Sequence, residues 1–179
     1  MVDPLSRARA FHRLLYLAIA ALILFLRLLP ANPAGHSFPG PDLMMAFTFA
    51  WLMRRPDYVP VLLIVAVYLV EDMVFWRPLG LWPLIMLLAT EWLRAREESL
   101  RDLPFLLEIA LIGGLWFVMV LARHLILVLV FSDTVPLGME LLRLLATLAA
   151  YPLVVALSHT GLGLRRAAPG EVDDFGQRR

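Results

Sequence analysis

Two carboxylates, Glu71 and Asp72, stand side by side inside the apolar stretch VYLVEDMVFWRPLGLW, Val67 to Trp82. Charged groups in so poorly solvated a setting carry a free-energy cost, so they must be neutralised, hydrated or used. A few other ionisable residues lie in similarly apolar surroundings: Arg27, Asp42, Arg123, His124, Glu140 and Arg143. Mutual ion pairing and contact with a partner or ligand are the chemistries open to such a set. Catalysis lacks its parts. Ser132 and Ser158 have no histidine and acid at a recognisable spacing, and GLGLRR is not a GxGxxG fingerprint. The four histidines, His12, His36, His124 and His159, show no metal-ligand spacing, and cysteine is absent. The expectation is a protein that is not an enzyme and carries no cofactor or metal.

The elements that position these charges follow from composition. Of 179 residues, 61% are hydrophobic, and the mean hydropathy is +0.78. An average soluble domain is roughly 45–50% apolar. The excess points to an all-α integral membrane protein, and a chain almost wholly within lipid leaves no room for a nucleic-acid partner. A helix needs roughly 20 apolar residues to cross a bilayer core of about 30 Å. Segments 11–29, 41–53, 58–75, 79–93, 104–131 and 136–159 fit or nearly fit, the second and fourth being short. The first span, with LLYLAIAALILFL followed by PANPAG, reads as an uncleaved anchor rather than a signal peptide.

Arginine placement orients the spans, because cytoplasmic loops retain positive charge. With six spans, Arg7, Arg9, Arg13, Arg54, Arg55, Arg94, Arg96, Arg101, Arg165, Arg166, Arg178 and Arg179 fall on one side. The opposite loops, 30–40, 76–78 and 132–135, hold only Arg77. The expected organisation is a cytoplasmic N-terminus (1–10), one six-helix membrane domain (11–159) and a cytoplasmic tail (160–179), with both termini inside. RAREESLRD is expected to be a helical surface connection.

At 1.5 Å per residue, Glu71, Asp72, Arg123, His124, Glu140 and Arg143 all fall in the outer half of the membrane, with Arg27 and Asp42 flanking the first outer loop. The acids are expected to face Arg123, Arg143 or both. Two plainer arrangements stay open. Glu140 and Arg143, spaced i, i+3, can neutralise each other, and Glu71 and Asp72 can be hydrated at the interface. Glu91 and Glu108 lie beside arginine-rich loops, where interfacial hydration suffices. Small residues, Thr147 and Ala150 on the Glu140 face and the Gly113–Gly114 pair, mark points of close helix approach or a kink.

Four stretches in order resemble the MreD family, bacterial rod shape-determining membrane proteins. They are PGPDL (Pro39 to Leu43), FAWLMRRPDYVP (Phe49 to Pro60), the third-span acid Asp72, and RPLGL (Arg77 to Leu81). The resemblance covers most of residues 8–165. Family members often carry a glycine shortly before that acid, where this chain reads VAVYLVED. The resemblance implies a fold similar to the six-helix substrate-binding subunits of energy-coupling-factor vitamin transporters. It also implies a non-enzymatic scaffold in the cell-elongation complex of the inner membrane, working with MreC. Through that complex the further partners are MreB, a SEDS-type glycosyltransferase and a class B penicillin-binding transpeptidase. The alternative is a substrate-binding membrane subunit of a small-molecule transporter.

Overall fold

A computed structural model describes residues 4–29, 40–100, 103–130 and 135–162. Among them there is no strand. The helices are α1 (Pro4–Leu28), α2 (Leu43–Leu52), α3 (Val61–Val74), α4 (Leu81–Arg94), the single turn α5 (Glu97–Leu100), α6 (Phe105–Leu129) and α7 (Leu137–Leu162), with a 3₁₀ turn at Pro56–Tyr58. Each of the six apolar segments holds one helix, and RAREESLRD holds α5. Of the expected outer connections 30–40 and 132–135 and the expected tail 160–179, residues 30–39, 132–134 and 163–179 lie outside the described residues, as does Arg101.

Three helices are long and apolar enough to cross a membrane: Arg9–Leu28 of α1, Phe105–Leu129, and Leu137–Thr160 of α7. The 10 residues of α2 and the 14 each of α3 and α4 rise only about 15 and 21 Å at 1.5 Å per residue.

Sequence explains where each helix sits. LMMAFTFAWL has no polar face, and a helix apolar all round is a buried one. All of α2 but Leu43 and Phe47 is buried, so it forms the centre of the bundle. It packs on α7, while α3 pairs with α4 and α6 lies against α7 and α4. A Cβ on Gly113 would come within 3.1 Å of a Leu148 methyl, so glycine sets the close approach of α6 to α7; Gly114 has open space beside it.

Helix ends alternate. The C-terminal ends of α1, α3 and α6 meet the N-terminal ends of α2, α4 and α7 in one polar cluster, hereafter the Glu71 end. At the opposite, Glu108 end the loop 53–60 is pinned from three helices. Arg13 of α1 donates to the Asp57 carbonyl (3.2 Å), and His12 stacks on Tyr58 at 4.2 Å. Arg94 of α4 donates to the carbonyls of Pro56 (3.1 Å) and Val59. Arg54 donates to Glu108 of α6 (3.2 Å).

Midway, buried Tyr16, Thr48 and Tyr68 tie α1, α2 and α3 together. Thr48 Oγ1 lies 2.8 Å from the Tyr16 hydroxyl and 3.0 Å from that of Tyr68. It also donates to the Met44 carbonyl at 2.8 Å. A threonine hydroxyl has one proton and two lone pairs, so both tyrosines donate to Thr48 and its capacity is full. Thr48→Val is expected to lower unfolding stability in mild detergent by about 1–3 kcal/mol, the usual cost of stranded buried polar groups. Thr48→Ser, which keeps the oxygen, loses less; equal thermal midpoints for Thr48→Val and wild type would refute the triad.

Candidate functional site

Glu71 occupies the last full turn of α3 and is 0% exposed. Its Oε1 accepts from Arg27 Nη1 at 2.6 Å and from Arg77 Nη1 at 3.1 Å. Arg27 comes from the end of α1. Arg77 lies beyond the end of α3, where the chain turns back so that its guanidinium reaches the same carboxylate. Both guanidiniums also lie over the Phe75 ring, at 4.9 and 5.4 Å from its centre. Such contacts suit cations removed from water.

Asp72, about 100° further round the helix, turns elsewhere. Its Oδ2 accepts the Gly80 N–H at 3.1 Å. Gly80 has φ of +87° and caps the start of α4, a left-handed conformation that glycine adopts without steric cost. Asp72 thereby fixes the RPLGL turn.

Asp42 joins this cluster to the core. Its side chain accepts the Met45 N–H (3.2 Å) and so caps α2, a role suited to aspartate. Its own N–H donates to Thr147 Oγ1 of α7 at 2.8 Å. Arg27 stands 3.9 Å from its carboxylate. On the far side, Arg123 of α6 donates to Glu140 of α7 at 2.7 Å and lies over Trp82 at 5.7 Å. His124 Nδ1 is 3.8 Å from the other Glu140 oxygen.

The residues singled out in sequence, Asp42, Glu71, Asp72, Arg123, His124, Glu140 and Arg143, lie at this one end together with Arg27. Their expected pairing needs correction. Glu71 meets Arg27 and Arg77 instead of Arg123 or Arg143, because α3 closes against the end of α1 and the following turn. Asp72 meets a backbone N–H rather than a guanidinium. Glu140 meets Arg123 across the α6–α7 contact rather than Arg143 one turn along its own helix. No described carboxylate lies within 4.0 Å of the Arg143 guanidinium, which instead lines a cavity of about 310 Å³ with Asp42, Arg77, Trp82, Arg123 and Glu140.

A second buried cluster escaped the sequence reading. Glu108 is not hydrated at an interface: it is 1% exposed and accepts from Arg54 (3.2 Å) and the Tyr151 hydroxyl (2.6 Å). The signal was the arginine pair Arg54–Arg55 within FAWLMRRPDYVP, of which Arg54 turns inward. Glu91 stays exposed and pairs with Arg94 at 3.0 Å. Among the described residues no group of three or more acids and histidines is placed to hold a metal. The chain matches no protein-family model, no curated protein and no solved structure.

Two outcomes follow from the pairing. Glu71→Ala leaves Arg77 without its paired carboxylate and Arg27 with only the more distant Asp42, and is expected to cost about 3–5 kcal/mol, as for a broken buried pair. Asp72→Ala frees one backbone N–H and is expected to cost about 1–2 kcal/mol. Thermal unfolding of the detergent-extracted variants gives the order, and Asp72→Ala as the worse of the two would contradict it. At the other end Glu108→Ala is expected to lose about 3–5 kcal/mol and Tyr151→Phe about 1 kcal/mol. Matching midpoints for the two would show that Arg54 does not depend on Glu108.

Proposed function

We propose that this protein is a non-enzymatic scaffold of the bacterial cell-elongation complex, needed for rod shape and for peptidoglycan synthesis along the side wall. It sits in the inner membrane with six spans and both termini cytoplasmic. The Glu71 end faces the periplasm and the arginine-rich Glu108 end faces the cytoplasm. Its direct partner is MreC, and through the complex it meets MreB, the SEDS-type glycosyltransferase and the class B penicillin-binding transpeptidase.

One observation carries this reading. The stretches that resemble the MreD family supply the bundle's polar joints: Asp42 from PGPDL caps α2, Arg54 from FAWLMRRPDYVP meets Glu108, and Asp72 bonds Gly80 of RPLGL. Each resembling motif thus has a structural task. Alternation of the helix ends supports the six-span arrangement, as does Trp76, 95% exposed at the Glu71 end, where an interfacial aromatic belongs. The absence of a glycine before Asp72 is matched by Tyr68, which is fully buried and bonded to Thr48.

The cavity at the Glu71 end favours a second reading, a substrate-binding membrane subunit of a small-molecule transporter. Purification in mild detergent separates the two. MreC is expected to co-purify with the full chain, and a reporter active only in the periplasm, fused after Arg179, is expected to stay silent. Recovery of an ATPase module in place of MreC would replace the scaffold reading with the transport one. A strong reporter signal would remove the six-span arrangement.

A further inference from the structure

One guanidinium in the wall of the cavity at the Glu71 end, that of Arg143, has no close counter-ion among the described residues. Three guanidiniums line it, Arg77, Arg123 and Arg143, against two carboxylates, Asp42 and Glu140. Arg77 is held by Glu71 and Arg123 by Glu140. Arg143 has no carboxylate within 4.0 Å among the described residues, and its buried Nε has no hydrogen-bond partner. The charged groups acting on it are Asp42 and Glu71 but also Arg27 and Arg77. The acids near Arg143 are therefore already shared with other arginines. The indole N–H of Trp82, on the same wall, is likewise buried without an acceptor. Glu71 Oε2, Asp72 Oδ1 and Glu140 Oε2 are buried acceptors without a hydrogen-bond partner; of these acids only Glu140 lines the cavity, its Oε2 standing 3.8 Å from His124 Nδ1.

Unsatisfied buried groups cost free energy unless something satisfies them. What Arg143 Nε and the Trp82 indole N–H lack is an acceptor within reach. We propose that the cavity binds an oxyanion, a phosphate monoester or diester group, through the Arg143 guanidinium and the Trp82 indole N–H. Guanidinium donors in a fork match the oxygens of such a group. A volume of about 310 Å³ is at the small end of ligand pockets, enough for a headgroup-sized anion and too small for a large solute. The phosphate comes either from an anionic lipid headgroup or from a free phosphate, and the two share this chemistry. The inference does not depend on the scaffold reading, because MreC binding and anion binding are measured separately.

The test uses the full chain, delipidated in a neutral detergent that contains no phosphate. Inorganic phosphate and phosphatidylglycerol are titrated in turn, with native mass spectrometry and thermal unfolding as readouts. Wild-type protein is expected to retain one of them and to unfold at higher temperature in its presence. Retention of phosphatidylglycerol alone identifies a lipid headgroup, and a response to inorganic phosphate identifies a free anion. Arg143→Gln is expected to weaken binding about tenfold or more, as loss of one charge-assisted contact does. This variant strands no acid, so its unliganded midpoint is expected to stay close to wild type. Met139→Trp narrows the cavity without altering a charge and is expected to lose binding as well; should Arg143→Gln fail to fold, this variant decides. Absence of binding by both probes, or binding unchanged in the variants that fold, would overturn the proposal.

Discussion

The Glu71 carboxylate has no contact with solvent, so its charge is tolerable only while guanidiniums surround it. That requirement fixes the arrangement of an entire end of the bundle. Arg27 must come from α1 and Arg77 from the turn after α3, which holds those two helices in register. Arg27 also leans toward Asp42, the cap of the central helix α2, and Asp42 donates its N–H to Thr147 of α7. Through this chain of contacts one buried acid connects four helices. Removing a partner from such an arrangement is costly because a charge is left in a low-dielectric layer.

The two polar ends differ in how they are closed. At the Glu108 end, backbone carbonyls of the loop 53–60 take most of the arginine donors, and the arrangement is a set of ties across a short loop. At the Glu71 end, side chains meet side chains, and a cavity remains between them. Fifteen positions on α6 separate Glu108 from Arg123, a rise of about 22 Å. That distance is less than the roughly 30 Å thickness of a bilayer core. Apolar packing fills the space between, with Trp116 set edge-on between Phe49 and Tyr151 at 5.6 Å from each.

Helix positions were legible in the sequence because hydrophobic runs and their arginine punctuation are one-dimensional signals. α6 and α7 match the expected segments 104–131 and 136–159 closely. Gathering of Asp42, Glu71, Arg123 and Glu140 into one layer was also legible, since depth follows from rise per residue once the helices alternate. Partner choice was not. Depth leaves helix rotation undetermined, and rotation decides that Glu71 faces Arg27 while Asp72, one residue on, faces the Gly80 N–H. Arg77 was invisible as a partner because it lies in a turn whose path depends on the left-handed Gly80. Glu108 was misplaced because proximity to an arginine-rich loop resembles hydration until the inward turn of Arg54 is known.

The dependence of this end on a single buried acid is tested most directly by a double-mutant cycle between Arg27 and Glu71. Thermal or denaturant unfolding in mild detergent is measured for wild type, Arg27→Ala, Glu71→Ala and the double variant. Contacting residues in one network couple by about 0.5–3 kcal/mol, whereas independent sites add. A coupling above about 1 kcal/mol, with the double variant less destabilised than the sum of the singles, is the predicted result. Strict additivity of the two substitutions would contradict the account.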